Sequence, residues 1–257
     1  MMSKHTTRQH YTPRFRFRYF EDNKLHYEFS KEGKYLGHKG IGRGIATKND
    51  LYEPRDNGYD NYADNAIETD LFANNIEPRH KHLIDCIIQT VQARNVINYR
   101  ECFESVRVLS LGMGDYNALM SLLNIQLMRQ PSTIDNMKDM PLSKLSFFEM
   151  VDAYLDDIFC VLSIGYVIDD SEFILPDCGM VCGTGTSSHL SDIIMPITPK
   201  ICIQRTSGAG GQVRWLKDIR NPVRLRPITE RFVKWVNNQS VIQCNEKFIS
   251  RTRDYII

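Results

Sequence analysis

His10, Arg14, Glu68, Arg129 and Asp177 are the residues of this chain whose types could together handle a phosphate ester. A histidine titrates near neutrality and can move a proton. An aspartate can orient it or hold a metal ion, and arginine can stabilise negative charge developing on phosphorus oxygens. A core of apolar side chains needs none of these groups. Two of the five lie in Gln9-His10-Tyr11-Thr12-Pro13-Arg14-Phe15-Arg16-Phe17-Arg18-Tyr19-Phe20, where Pro13 fixes its own φ and drives Thr12 toward extended geometry. The alternation that follows predicts a strand with Arg14, Arg16 and Arg18 on one face and Phe15, Phe17 and Tyr19 on the other. Arg16 and Arg18 are then contacts for a nucleic-acid backbone. The same residues could instead form a buried polar network that fixes the fold, with His10 pinning the first strand and Arg129 paired to Asp177 or Glu68.

The residues establish no cofactor; if Asp177 holds a metal instead of orienting His10, a divalent ion, Mg or Mn, is the one it suits. Asp152 and Asp156, four apart on one predicted helical face, could hold such an ion or be a solvated acidic face. Cys178 and Cys182 have a spacing that could serve zinc, but no second Cys or His pair of ligand spacing accompanies them. The seven cysteines are scattered and odd in number, which predicts reduced thiols and no disulfide framework. His80 and His82, two apart at a helix start, do not share a face.

These residues must be positioned by the elements that the hydropathy pattern predicts. A hairpin spans 11–30, with Glu21-Asp22-Asn23-Lys24 as its turn, and a further turn follows at Lys31-Glu32-Gly33-Lys34. A glycine-rich run at 38–46 lacks the Lys-Ser/Thr ending and the following helix of a phosphate-binding loop. Helical periodicity fills 79–160, with stripes at Leu83, Ile84, Ile87, Ile88 and Val91, at Tyr116, Leu119, Met120, Leu123 and Leu127, and at Phe147, Phe148, Val151, Tyr154, Leu155 and Ile158. Arg129 closes the second of these helices before Pro131. A β-rich section covers 161–204 and puts Asp177 at a strand exit. An amphipathic helix over 229–250, N-capped by Thr229, closes the chain. The expectation is a single α+β domain over 1–257, with a mixed or antiparallel sheet, a helical middle and a C-terminal helix.

The formal charge of +1 over 257 residues conceals segregation. Residues 1–50 are net +6 and residues 200–257 net +8, against −6 for 51–78 and −8 for 135–177. If the basic segments meet they make a positive surface suited to a phosphate-bearing partner; otherwise the four segments neutralise one another. No apolar run reaches the roughly 20 residues of a spanning helix, and the start carries no signal-like segment, so a soluble, cytoplasmic protein without membrane contact is expected.

His10-Tyr11-Thr12-Pro13-Arg14-Phe15, Asp64-Asn65-Ala66-Ile67-Glu68, Gln126-Leu127-Met128-Arg129-Gln130-Pro131, Phe173-Ile174-Leu175-Pro176-Asp177 and Met195-Pro196-Ile197-Thr198-Pro199-Lys200 follow one another in an order that resembles a bacterial and phage-associated family. It is the domain-of-unknown-function 4238 family, opened by a His-Tyr-Val-Pro-x-Phe motif in which Thr12 here replaces Val. The resemblance spans nearly the whole chain and implies a single α+β domain with a helical middle. The family brings no reaction with it. Two function classes are therefore expected from the residues: a phosphodiester-cleaving, nuclease-like effector in conflict between bacteria and mobile elements, or a non-enzymatic sensor or binding module. The partner in either case is RNA or DNA, with a protein partner or a homo-oligomer as a further possibility. Serine-hydrolase, dinucleotide-binding, P-loop and zinc-finger motifs are absent.

Overall fold

A computed structural model describes residues 8–40, 44–49, 51, 72–93, 107–109, 113–135, 160–183, 193–207, 223–255 and 257. Strand β1 (Arg8–His10) pairs antiparallel with β4 (Thr47–Asn49). Between them lie helix α1 (Arg14–Arg18) and a hairpin of β2 (His26–Ser30) and β3 (Tyr35–Lys39). Helix α2 (Glu77–Ala93), short strand β5 (Arg107–Leu109), helix α3 (Met113–Met128) and a one-turn helix α4 (Pro131–Asp135) follow. The β-rich part comprises β6 (Cys160–Val167), β7 (Leu175–Pro176), β8 (Val181–Cys182), β9 (Ile193–Thr198), β10 (Ile201–Ser207) and β11 (Val223–Ile228). Helix α5 (Glu230–Gln243) and strand β12 (Lys247–Ser250) close the chain. The fold is α+β, as the sequence predicts.

The large sheet runs β5-β11-β6-β10-β9-β8, and among the described residues only β11 and β6 pair parallel. A second sheet runs β3-β2-β12-β7. Its register sets Phe29 opposite Phe248 and Glu28 opposite Ile249, so the first and last thirds of the chain share one sheet. From Leu122 to Met128 every residue of helix α3 is buried, polar Asn124 and Gln126 included, the mark of a helix enclosed by protein. Ile125 and Met128 join the core cluster of Phe17, Phe20 and Phe72, while Leu119, Leu122, Leu123 and Leu127 join that of Leu83, Ile84, Ile164 and Ile203. A single stripe on this helix is thus too narrow a reading. The α2 stripe is as expected: Leu83, Ile84 and Ile87 are buried, with Ile88 and Val91 packed beside them.

Three sequence expectations are corrected. Residues 14–18 are helix, not the first strand of an 11–30 hairpin; β2 pairs with β3 and β12 instead. Phe17 and Phe20, three apart, face the core, and Arg14 and Arg18, four apart, face water, so helical spacing prevails over the twofold Arg/Phe alternation. The closing helix ends at Gln243, and Phe248 belongs to β12. Thr229 precedes α5 without a side-chain capping bond; the carboxylate of Asp169 accepts from the Glu230 N–H at 2.8 Å in its place. The third predicted helix, with Asp152 and Asp156, lies outside the described residues.

Side-chain amides of α5 close the sheets against it. Asn237, fully buried, accepts from the Ile174 N–H and donates to the Glu172 carbonyl, and Gln243 pairs with both backbone groups of Cys182. Backbone groups at β7 and β8 that lack a strand partner are satisfied in this way.

Candidate functional site

Asp177 leaves β7 and stays inside, with 2% of its surface exposed. Its carboxylate accepts from three successive backbone N–H groups, Asn245 at 2.8 Å, Glu246 at 2.9 Å and Lys247 at 3.2 Å, and from the Tyr11 hydroxyl at 3.1 Å. Three converging amides form an anion nest, and the chain fills that nest with its own aspartate. Burial raises the Asp177 carboxyl above the usual range, against the pull of these donors. Thr12 Oγ1 donates to the Asp177 carbonyl at 2.6 Å.

Arg16 lies beside this turn and is 1% exposed. Its Nη1 donates to Gln126 Oε1 at 3.1 Å, and its Nη2 to the carbonyls of Gly179 at 2.6 Å and Pro196 at 2.9 Å, while Nε is buried with no partner among the described residues. No described carboxylate bonds this cation. Burial pulls its pKa down to about 9, with the Arg129 charge acting in the same direction, so it stays protonated at neutral pH. Gln126 Nε2 lies within 3.0 Å of the Tyr11 carbonyl, Thr12 Oγ1 and the Cys178 carbonyl. Gly179 is in the left-handed region at φ 76°, and a Cβ there would stand 2.5 Å from Arg16 Nη1. Only glycine fits on both counts.

Arg129 follows α3 by one residue and is equally buried. Its Nε and Nη2 both donate to the His10 carbonyl, its Nη1 pairs with Glu77 Oε1 at 2.8 Å, and its guanidinium lies 4.0 Å from the Phe72 ring centroid. Phe72 sits on a wide π-helical turn over 72–76 that leads into α2. One turn into α2, His80 is buried; burial, with the Arg129 and Arg16 charges adding to it, pushes its imidazole down to about 3. It is neutral at physiological pH.

The sequence set is therefore divided. Arg129 bonds the main chain of His10 and the carboxylate of Glu77 and not Asp177, one of the two partners that the sequence offers; the other, Glu68, lies outside the described residues. Asp177 bonds the β12 turn. Arg16, read as a nucleic-acid contact, is an internal anchor, whereas Arg14 and Arg18 are exposed on α1. His10 is half-buried. Tyr11, Thr12, Gln126, Glu77 and Gly179 complete the network. Gln126 could have been found from the sequence, because it precedes Arg129 by three residues and so shares its helical face. Among the described residues no three His, Cys, Asp or Glu side chains converge as metal ligands. Cys86, Cys178, Cys182, Cys202 and Cys244 are free thiols, and burial pushes Cys202 and Cys244 up to about 12. No described helix is long and apolar enough to cross a membrane.

The second sheet carries a buried charge clamp on one face and a ring cluster, exposed at its outer edge, on the other. On one face of β2, Glu28 is buried between Lys39 Nζ at 2.8 Å and Lys247 Nζ at 2.9 Å, a clamp across three strands. Burial works to raise its carboxyl, but the two ammonium groups hold it below the usual range. His26 on the same face is fully buried, with neither ring nitrogen partnered among the described residues. Burial pushes it down to about 4, against the pull of Glu28. On the opposite face, Phe29 stacks on Phe248 at 5.3 Å, and Tyr255 packs edge-on to both. Tyr27 stacks on exposed His38 with centroids 4.2 Å apart, and the Arg253 guanidinium lies 5.2 Å from the centroid of Tyr35, itself 40% exposed.

A scan against family models and searches of curated proteins and of solved structures found no match to this chain.

Proposed function

We propose that this protein is a nucleic-acid-binding module and that its contact surface is built where the two basic ends of the chain meet. The observation that carries the reading is the pairing of β2 with β12, which sets one strand of the net +6 segment against one strand of the net +8 segment. Some of their cations serve the interior: Arg16 and Arg205 are buried, Lys39 and Lys247 hold Glu28, and Arg251 pairs with Glu172. Others face water. Arg14, Arg18 and Lys34 are exposed and carry no ion pair among the described residues, and Arg253 lies over a half-open tyrosine ring. Exposed cations beside exposed rings suit a phosphate backbone and the bases it carries.

Binding is favoured over cleavage because Asp177 and Arg129, an acid and the buried cation of the candidate set, already have internal partners, as does Arg16. Asp177 accepts four hydrogen bonds, and Arg16 and Arg129 are fixed by carbonyls, Gln126 and Glu77. The test is to incubate labelled RNA and DNA strands with the protein, with and without Mg²⁺ or Mn²⁺, and to follow retention and strand length together. Strands retained and recovered intact are the expected result. Cleavage that disappears in His10→Ala would replace this reading with a phosphodiester-cleaving enzyme.

A further inference from the structure

We infer that the outer face of the β2–β3 hairpin takes single-stranded nucleic acid by stacking bases on His38 and Tyr35; this rests on the nucleic-acid reading above and narrows it to a substrate class. In an antiparallel pair, residues directly opposite share a face, and Tyr27 opposite His38 and Phe29 opposite Tyr35 put four rings on one side of the hairpin. Phe29 and Phe248 are buried, and with Tyr255 set edge-on to them at 4.7 and 5.0 Å they make a rigid floor. A small core under the C-terminal segment explains those three rings. It does not explain His38 and Tyr35, which stand outermost and remain exposed.

The His38 ring lies nearly parallel to Tyr27, at 11°, so one of its faces is occupied by tyrosine and the stack can be continued only on the other. Tyr35 is tilted against Tyr27 and Phe29, and Arg253 stands at its ring. Lys34, exposed at the hairpin turn, and Arg253 supply positive charge within the same few residues, while Glu32 and Asp254 are the nearby exposed acids. A π face flanked by cations matches a nucleobase with its phosphate. Duplexes keep their base faces inside the helix, so only an unpaired strand can use these rings. Apolar peptides would use the rings without the cations, and acidic peptides the cations without the rings.

The full-length chain is titrated by fluorescence anisotropy with a labelled single strand of about 12 nucleotides, within the usual range for such sites, and with the same strand annealed to its complement. His38→Ala and Tyr35→Ala should each weaken single-strand binding roughly 5- to 100-fold, leave duplex binding and the salt slope unchanged, and unfold at the wild-type denaturant midpoint. His38→Phe and Tyr35→Phe, which keep a ring, should retain most of the affinity. If the wild type binds strand and duplex equally and the alanine variants match it, stacking is wrong while the nucleic-acid reading stands. If the wild type binds neither, the underlying reading fails and this one with it. Capture of an acidic peptide with no affinity for either nucleic acid would assign the face to a protein partner and overturn both.

Discussion

At the scale of single residues, Arg129 and Asp177, two of the five groups most suggestive of catalysis, are accounted for by hydrogen bonds that hold backbone segments together. Asp177 ties the α5–β12 turn to Tyr11, so Asp177→Asn should expose the mismatch between its new N–H donors and the amides it faces. A loss of roughly 2–4 kcal/mol in urea unfolding is expected, against less than about 0.5 for Arg14→Ala on the exposed side of α1. A variant as stable as the wild type would remove Asp177 from the network. Gly179→Ala meets both a left-handed backbone and the Arg16 guanidinium, and a loss of at least about 2 kcal/mol by the same measurement follows. Two buried histidines give the fold an acid limit. His26 titrates at about 4 and His80 at about 3 in the folded chain, against 6.5 when unfolded, so below pH 6.5 the unfolded state binds more protons. Stability is full above pH 6.5 and falls as pH drops toward 4 and 3. His26→Leu should make that decline shallower between pH 6.5 and 4; an unchanged pH profile would mean that His26 is not held neutral by burial.

At the scale of elements, what could be read from the sequence depended on whether a pattern is local. The α2 stripe, the turn at 31–34 and the β-rich character of 161–204 rest on neighbours in sequence, and strands β6, β9 and β10 bear out the last. The segment 14–18 misled because alternating arginine and phenylalanine fits a strand, while a core on one side and Gln126 and Gly179 within reach of Arg16 select a helix. The cap of α5 misled for a related reason: Thr229 has the right type and place, but Asp169, distant in sequence, reaches the first amide. A pair of substitutions separates the two. Asp169→Ala should cost about 1 kcal/mol, as the loss of an N-cap usually does, and Thr229→Ala a few tenths at most. Equal losses in the two variants would return the cap to Thr229.

Across the whole molecule, the sequence shows charge segregation but not its geometry. The net +6 and +8 segments could have neutralised the acidic middle, and in part they do: Arg251 pairs with Glu172. Only the register of β2 against β12 reveals that the ends adjoin, because strand pairing over more than 200 residues leaves no local trace. Candidate-site residues were legible as types and not as partners. Arginine, aspartate and histidine are the residues of a phosphate site and also of a buried network, and burial decides between these uses.

The most direct measurement of the central claim is the affinity of the full-length chain for a labelled single strand across a series of salt concentrations, compared with a Lys34→Ala/Arg253→Ala double variant. Binding that weakens linearly in log–log form with added salt is expected, with a slope shallower in the double variant by roughly 0.7 for each phosphate that the removed cations no longer neutralise. No binding at low salt, or identical slopes for the two proteins, would contradict a nucleic-acid surface at the joined basic ends.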